Sequence, residues 1–394
     1  MRKAVSSYGK LFLIYLRLGC VSFGGPVAHL SYFRDEFVAR RKWLSDSEFG
    51  ELLALCQFIP GPSSSQLGFA IGWRRRGLLG ACFAWLGFTL PSAFLMIGFA
   101  YGFNWIGSDF DSIRRGLLIA TVAVVGNAVW SLGRNLCPDY PRLLIAVVSA
   151  ICINFIPTGW VSLVVIVSAG FFRAKMLAWK GYSAMSLSPS SFDWSALRAG
   201  GLPLSLFGVF LLVALILPKA GLIGLLAIHY QAGALVFGGG HVVLPLLHEG
   251  VVNTGYMTDE TFLSGYSAAQ VLPGPLFTFA AFLGTMGSNE ASVSWLWGLG
   301  TLVAIFLPGM LLFLGIYPIW NQLKEQSWAS GALEGANAAV VGLLLAAFIN
   351  PVWSHGIRTP MDIGLALTAF ILMVRFRTPV WMIIPAYALI GLLL

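Results

Sequence analysis

The stretch Phe58-Ile59-Pro60-Gly61-Pro62-Ser63-Ser64-Ser65-Gln66 recurs about half a chain later as Val271-Leu272-Pro273-Gly274-Pro275-Leu276-Phe277-Thr278-Phe279. A Pro-Gly-Pro step cannot continue a helix, because each proline lacks a donor and the residue before it is pushed out of the α region. Both copies nevertheless lie between apolar runs too short to span a bilayer alone, the setting of discontinuous helices and re-entrant segments. The pattern predicts a broken helix, present twice.

Composition sets the medium around those breaks. Of 394 residues, 58% are hydrophobic and 10% charged, with a mean hydropathy of +0.82, values that a domain with a solvated surface does not reach. Apolar runs recur from Leu11 to Leu394. The expected fold class is therefore an all-α polytopic membrane protein rather than a barrel of alternating ten-residue strands. The net charge of +8 does not point to nucleic acid, since Lys and Arg fall at the ends of apolar runs, where they orient a membrane protein. Cys20, Cys56, Cys82, Cys137 and Cys152 stand singly with no CxxC pair, which indicates neither a metal site nor a disulfide framework. Arg2 and Lys3 before Leu11 to Leu16, and then Leu18-Gly19-Cys20, imitate a signal peptide. Arg17 interrupts that run and no small-x-small site comes after it, so the first segment is expected to be retained.

Self-similarity extends well beyond the Pro-Gly-Pro steps. Phe23-Gly24-Gly25-Pro26 is matched by Phe237-Gly238-Gly239-Gly240, and Leu30 by Leu244. After a one-residue slip, Leu44-Ser45-Asp46 matches Met257-Thr258-Asp259, Gln57 matches Gln270 and Phe69 matches Phe282. Leu90-Pro91 then answers Leu307-Pro308, and Val124-Val125-Gly126 answers Val340-Val341-Gly342. The chain is expected to divide into a first unit 1–198, a linker helix within 199–218 and a second unit 219–394.

In the first unit the apolar pattern predicts helices over about 8–23, 27–41, 45–58 and 63–73, with Ser45-Asp46-Ser47-Glu48 as a capping signature. Longer apolar segments come next at about 78–106, 113–134, 141–156 and 159–173, before a polar stretch over 174–198. Two short hairpins and four crossings per unit, with one linker helix over 201–217, make about nine crossings and turn the second unit upside down, an inverted repeat. Charge supports the inversion: Arg34, Arg40, Arg41 and Lys42 answer 248–257, without Lys or Arg, and Arg74, Arg75 and Arg76 answer 287–292, also without. The N-terminus is then cytoplasmic and the C-terminus periplasmic, with Arg114, Arg115 and Arg358 fitting poorly.

A helix N-terminus carries unpaired N–H groups and about half a positive charge, so it attracts anions without a cationic side chain. Two breaks per unit supply such termini near Val27, Ser63, His241 and Leu276. Inversion would gather them at one midplane site. Gly24, Gly25, Gly61, Gly238, Gly239, Gly240 and Gly274 would let backbone amides approach a ligand, with Pro26 and Val27 opening the first short helix. The polar groups nearby are neutral: His29, Gln57, Ser63, Ser64, Ser65, Gln66, His241, Gln270 and Thr278. Such a lining suits a tetrahedral oxyanion, whereas a cation would need carboxylates, and Asp46, Glu48, Asp259 and Glu260 lie a helix length away. Hydroxyls in membrane helices also bond to their own carbonyls, and glycines also pack helices together. Arg17 and Glu51 read either as a buried pair or as interfacial side chains. No GxxxxGK[ST], HExxH or GxSxG occurs, which leaves ATP hydrolysis and an embedded enzyme without support.

Phe23-Gly24-Gly25-Pro26-Val27-Ala28-His29, Pro60-Gly61-Pro62, Phe237-Gly238-Gly239-Gly240-His241-Val242-Val243-Leu244-Pro245 and Pro273-Gly274-Pro275 resemble the signatures of the chromate ion transporter family, in its two-domain long-chain form. The resemblance implies an inner-membrane transporter that exports chromate from the cytoplasm and confers resistance to it, and without a GxxxxGK[ST] loop that transport is expected to be secondary. Sulfate, of the same charge and shape, stays open as the substrate, as does an anion channel as the mode of flux. The implied partners are this oxyanion and the lipid bilayer. Proton coupling through His241 or Glu51 and a homodimer stay open, and no cofactor is implied.

Overall fold

Glycine and proline punctuate the chain at the positions the repeat marks. The structure, a computed structural model, describes residues 7–105, 110–156, 159–179, 194–237, 239–288, 292–324 and 326–394, and no strand occurs among them. The first half comprises α1 (Tyr8–Val21), α2 (Gly25–Arg34, continued by a π-helical turn Asp35–Arg40), α3 (Asp46–Phe58), α4 (Ser63–Trp105), α5 (Phe110–Leu136), α6 (Tyr140–Phe155) and α7 (Gly159–Trp179). After α8 (Trp194–Ile216) come α9 (Gly221–Leu235), a 3-10 turn Gly240–Val242 leading into α10 (Val243–Val251), α11 (Asp259–Val271), and a 3-10 turn Leu276–Thr278 leading into α12 (Phe279–Met286). The chain ends with α13 (Ser294–Ile316), α14 (Trp320–Leu323), α15 (Ser327–Ala347), α16 (Ser354–Gly356), α17 (Pro360–Arg375) and α18 (Val380–Gly391). The expected segments are present in order, and α2 begins at Gly25, two residues before the expected start.

α4 is two helices rather than one. Arg76 (φ −148°) and Gly77 (φ 63°) leave helical geometry, and a Cβ on Gly72 would lie 2.6 Å from Gly80 O and 2.7 Å from the Ala84 Cβ. Residues so far apart along a straight helix meet only if the arms fold back, so Arg74, Arg75 and Arg76 sit at the bend. Ser45 accepts from Glu48 N at 3.1 Å while Glu48 accepts from Ser45 N at 2.9 Å, completing the expected capping box.

Segments long and apolar enough to cross a bilayer are 63–103, 112–136, 197–216, 294–323 and 328–356. α6, α17 and α18, with 16, 16 and 12 residues, are shorter than the roughly 20 of a straight span. Among the described residues five segments meet that length, and the first of them, 63–103, is folded at Arg76 and Gly77 into two arms. α8 lies at the periphery against α9 and α13, with Leu202, Val209, Leu212 and Ile216 exposed, as suits a connector facing lipid.

The two halves are interlocked by equivalent contacts made in both directions. α5 packs on α17 and α18, while its counterpart α15 packs on α6 and α7. Small residues permit the close crossings: Gly116 lies against the Tyr387 carbonyl, Gly335 against that of Ala169 and Gly342 against that of Ala146. Within each half the first helix likewise crosses near the in-helix proline, with Gly19 against Phe88 O and Gly233 against Ile305 O.

Ion pairs fasten both ends of this exchange. Arg115 of α5 reaches Asp362 of α17 at 3.1 Å, and Asp362 also accepts from the backbone N–H groups of Arg358 and Thr359. At the counterpart, Arg173 of α7 binds Glu334 of α15 at 2.8 Å and Asp139 at 3.3 Å, and Arg142 of α6 binds Asp139 at 2.8 Å. Arg115, which fitted the charge rule poorly, belongs to this inter-helix structure around a buried carboxylate, to which Arg358 contributes only its backbone N–H. Arg17 and Glu51 are both exposed, which corrects the reading of a buried pair.

Candidate functional site

Ser7, Ser45, Asp139, Thr258 and Thr359 each cap a helix by accepting from a first-turn amide, a provision that α9, α13, α15 and α18 do without. At the breaks this provision is missing. Gly24 (φ 98°), Gly239 (φ 134°) and Pro275 precede their helices with no side-chain cap, leaving first-turn N–H groups open to an outside acceptor. A Cβ on Gly25 or Gly239 would meet nothing within 4 Å. Backbone at those two positions is open to close approach.

Gly61 and Gly274 behave differently. The Gly61 N–H donates to Val236 O at 2.7 Å, and the Gly274 N–H donates to Ser22 O at 2.9 Å. Ser22 and Val236 are counterparts immediately before Phe23 and Phe237, so each Pro-Gly-Pro turn is bonded to the other half's Gly-rich break. A Cβ on Gly61 would lie 3.1 Å from the Gly309 Cα, and one on Gly274 would lie 2.7 Å from Ser92 Oγ. Gly240 stands near Pro26 and Leu276, so all four interruptions meet. The amides of Gly61 and Gly274 hold the halves together and are not presented to a ligand.

The first-half polar residues divide in the same way. His29 is buried, its Nε2 3.2 Å from Ser22 O and its Nδ1 3.3 Å from Ser64 Oγ. A carbonyl can only accept, so the ring proton lies on Nε2 and Nδ1 takes the Ser64 hydroxyl proton. Gln66 Nε2 donates to Pro60 O at 2.8 Å and to Gly309 O at 3.2 Å, pinning the turn to α13. Ser65 is buried and Ser63 half-buried. Gln57 is exposed on α3 and lies off this cluster's interior.

In the second half, His241 Nδ1 lies 2.8 Å from the Tyr266 hydroxyl and 3.4 Å from Gln270 Nε2. Thr278 Oγ1 donates to Pro275 O at 2.9 Å, so its hydrogen closes its own turn. Gly238 and the side chain of Val27 lie outside the described residues. Sequence reasoning missed Ser22, Thr89, Ser92, Tyr266 and Gly309, which come to the breaks from neighbouring helices. The matched Leu-Pro steps at Pro91 and Pro308 were the available signal for three of them.

The chromate transporter family model matches the chain twice, over residues 9–174 and 223–392. A chromate transport protein of Pseudomonas aeruginosa is 29% identical over 374 residues, covering 92% of this chain and 86% of that protein. A chromate transport protein of Cupriavidus metallidurans is 28% identical over 407 residues, covering 97% and 92% respectively. An uncharacterised transporter of Methanocaldococcus jannaschii is 27% identical, covering 86% and 83%. No solved structure matches. With both interlocked halves matched, this chain belongs to the chromate transporter family.

Proposed function

We propose that this chain is a secondary transporter that exports chromate, a divalent oxyanion, across the inner membrane and so confers chromate resistance. The observation that carries the reading is the reciprocal bonding of the breaks, Gly61 to Val236 and Gly274 to Ser22, which gathers uncapped helix starts into one region with no carboxylate bonded among its described residues. Helix N-termini and neutral donors recognise an anion by its oxygens. They also hold it less tightly than a fixed cation would, as turnover requires.

The energetics favour export. Moving two negative charges outward across an inside-negative potential yields roughly 4.6 kcal/mol per 100 mV, from about 2.3 per charge. That sustains a gradient on the order of a thousandfold, at about 1.4 kcal/mol per tenfold. The membrane potential suffices as the driving force, and a proton-motive contribution adds to it. In this orientation the N-terminus is cytoplasmic, the C-terminus periplasmic, and α8 carries the second half to the opposite side.

The test is uptake of chromate into everted vesicles with an imposed potential, interior positive. The expected result is saturable uptake that requires this protein and rises with the potential. Preference for sulfate over chromate would reassign the substrate, and large, non-saturating flux without counterflow would replace transport by a channel.

A further inference from the structure

Among the described residues three buried side-chain hydroxyls have no hydrogen-bond partner in the protein: Ser22 Oγ, Ser65 Oγ and Thr89 Oγ1. Their residues are at most 3% exposed. Buried hydroxyls in membrane helices ordinarily bond to a carbonyl one turn back, as those of Thr121, Thr285 and Thr301 do here. These three forgo that bond, although burial without a partner is unfavourable. All three belong to the first half.

They come from three helical segments that meet. Ser22 ends α1, and its carbonyl holds both Gly274 N and His29 Nε2. Gly274 abuts Ser92 Oγ, which donates to Thr89 O at 3.2 Å on the second arm of α4. His29 receives the hydroxyl of Ser64, next to Ser65, and stands edge-on to Phe88, next to Thr89, at 5.2 Å. The repeat supplies the comparison. The counterpart of Ser22 is Val236, that of Thr89 is Phe306, and Leu276-Phe277-Thr278-Phe279 replaces Ser63-Ser64-Ser65-Gln66. The second half keeps the turns but not the free hydroxyls.

We propose that Ser22, Ser65 and Thr89 are oxyanion donors, and that the transported oxyanion binds on the first-half side of the interlock rather than symmetrically between the halves. The assignment rests on the proposed function as an oxyanion transporter. Each hydroxyl offers one O–H to an anionic oxygen.

The experiment is equilibrium binding of labelled chromate and sulfate to the purified full-length protein, read beside its thermal melting temperature. Ser22→Ala, Ser65→Ala and Thr89→Val are each expected to weaken binding about tenfold, the effect of removing one hydrogen bond to a charged acceptor, with melting unchanged or raised. Thr89→Ser keeps the hydroxyl and is expected to bind within about threefold of the unaltered protein. Unaltered affinity in the three variants, or a loss of melting temperature that Thr89→Ser restores without any change in affinity, would overturn the proposal. If the unaltered protein binds neither anion, the functional reading itself fails.

Discussion

The two Pro-Gly-Pro turns share a backbone conformation but lead into helices of different chemistry. Gly61 and Gly274 both adopt positive φ, 126° and 96°, and each gives its N–H to a carbonyl of the other half. After the turns the first half presents hydroxyls and an amide, and the second presents Leu276, Phe277 and Phe279, all buried. Duplication preserved the contacts that require two partners, since losing either partner opens both breaks. Side chains that face a solute need no counterpart, and one set of donors suffices for one anion. The scaffold is therefore two-fold, while the proposed donors all lie in one half.

Breaking the symmetric part should have the largest effect. Gly61→Val and Gly274→Val each force an L side chain into positive φ and into the opposite half, against Gly309 and Ser92. Both variants are expected to lose more than about a hundredfold in vesicle uptake, equivalent to roughly 2.7 kcal/mol. Unequal losses would show that the two turns are not equivalent.

The asymmetric part predicts unequal losses. Gln66→Leu leaves the carbonyls of Pro60 and Gly309 without their donor and is expected to cost about 2 kcal/mol of stability, measured as a lowered denaturation midpoint in detergent. Thr278→Val removes only a bond within its own turn and should cost about 1 kcal/mol.

The smallest effect concerns the pairing of the short helices α2 with α3 and α10 with α11, where the halves use the same contact with different chemistry. Arg34 pairs with Asp46 at 2.8 Å, and at the matched positions His248 pairs with Asp259 at 2.6 Å. The hydrogen bond from His248, with the nearby charges, holds the Asp259 carboxyl below the usual carboxylate range despite partial burial. A depressed carboxylate contributes stability that is present above its unfolded pKa, about 3.9, and is lost as pH falls through the lower folded value. Asp259→Asn is expected to leave a melting temperature a few degrees lower near pH 6 and the same as the unaltered protein near pH 2. A difference that persists at pH 2 would mean that the pair acts through packing and not through charge.

Much of this architecture was legible in the residues because it is local. Proline without a donor, glycine at positive φ and the Ser45–Glu48 cap act within a few positions of the chain, and the repeat revealed them twice. Arg115 stood apart from the charge pattern because a count of cations does not register a carboxylate such as Asp362, which is brought close to it only by helix packing. Gly61 and Gly274 were assigned to a ligand for the same reason. Their acceptors, Val236 and Ser22, belong to the other half.

By itself the sequence determined the medium, the duplication and the places where helices must stop, since hydrophobic composition and backbone chemistry act wherever the chain goes. Only the tertiary structure decided that α5 and α15 are exchanged between halves and that His29, Ser64 and the amide nitrogen of Gln66 are committed to internal bonds while the hydroxyls of Ser22, Ser65 and Thr89 are left free. A hydrogen bond depends on which groups meet across helices, and no spacing along one chain states that.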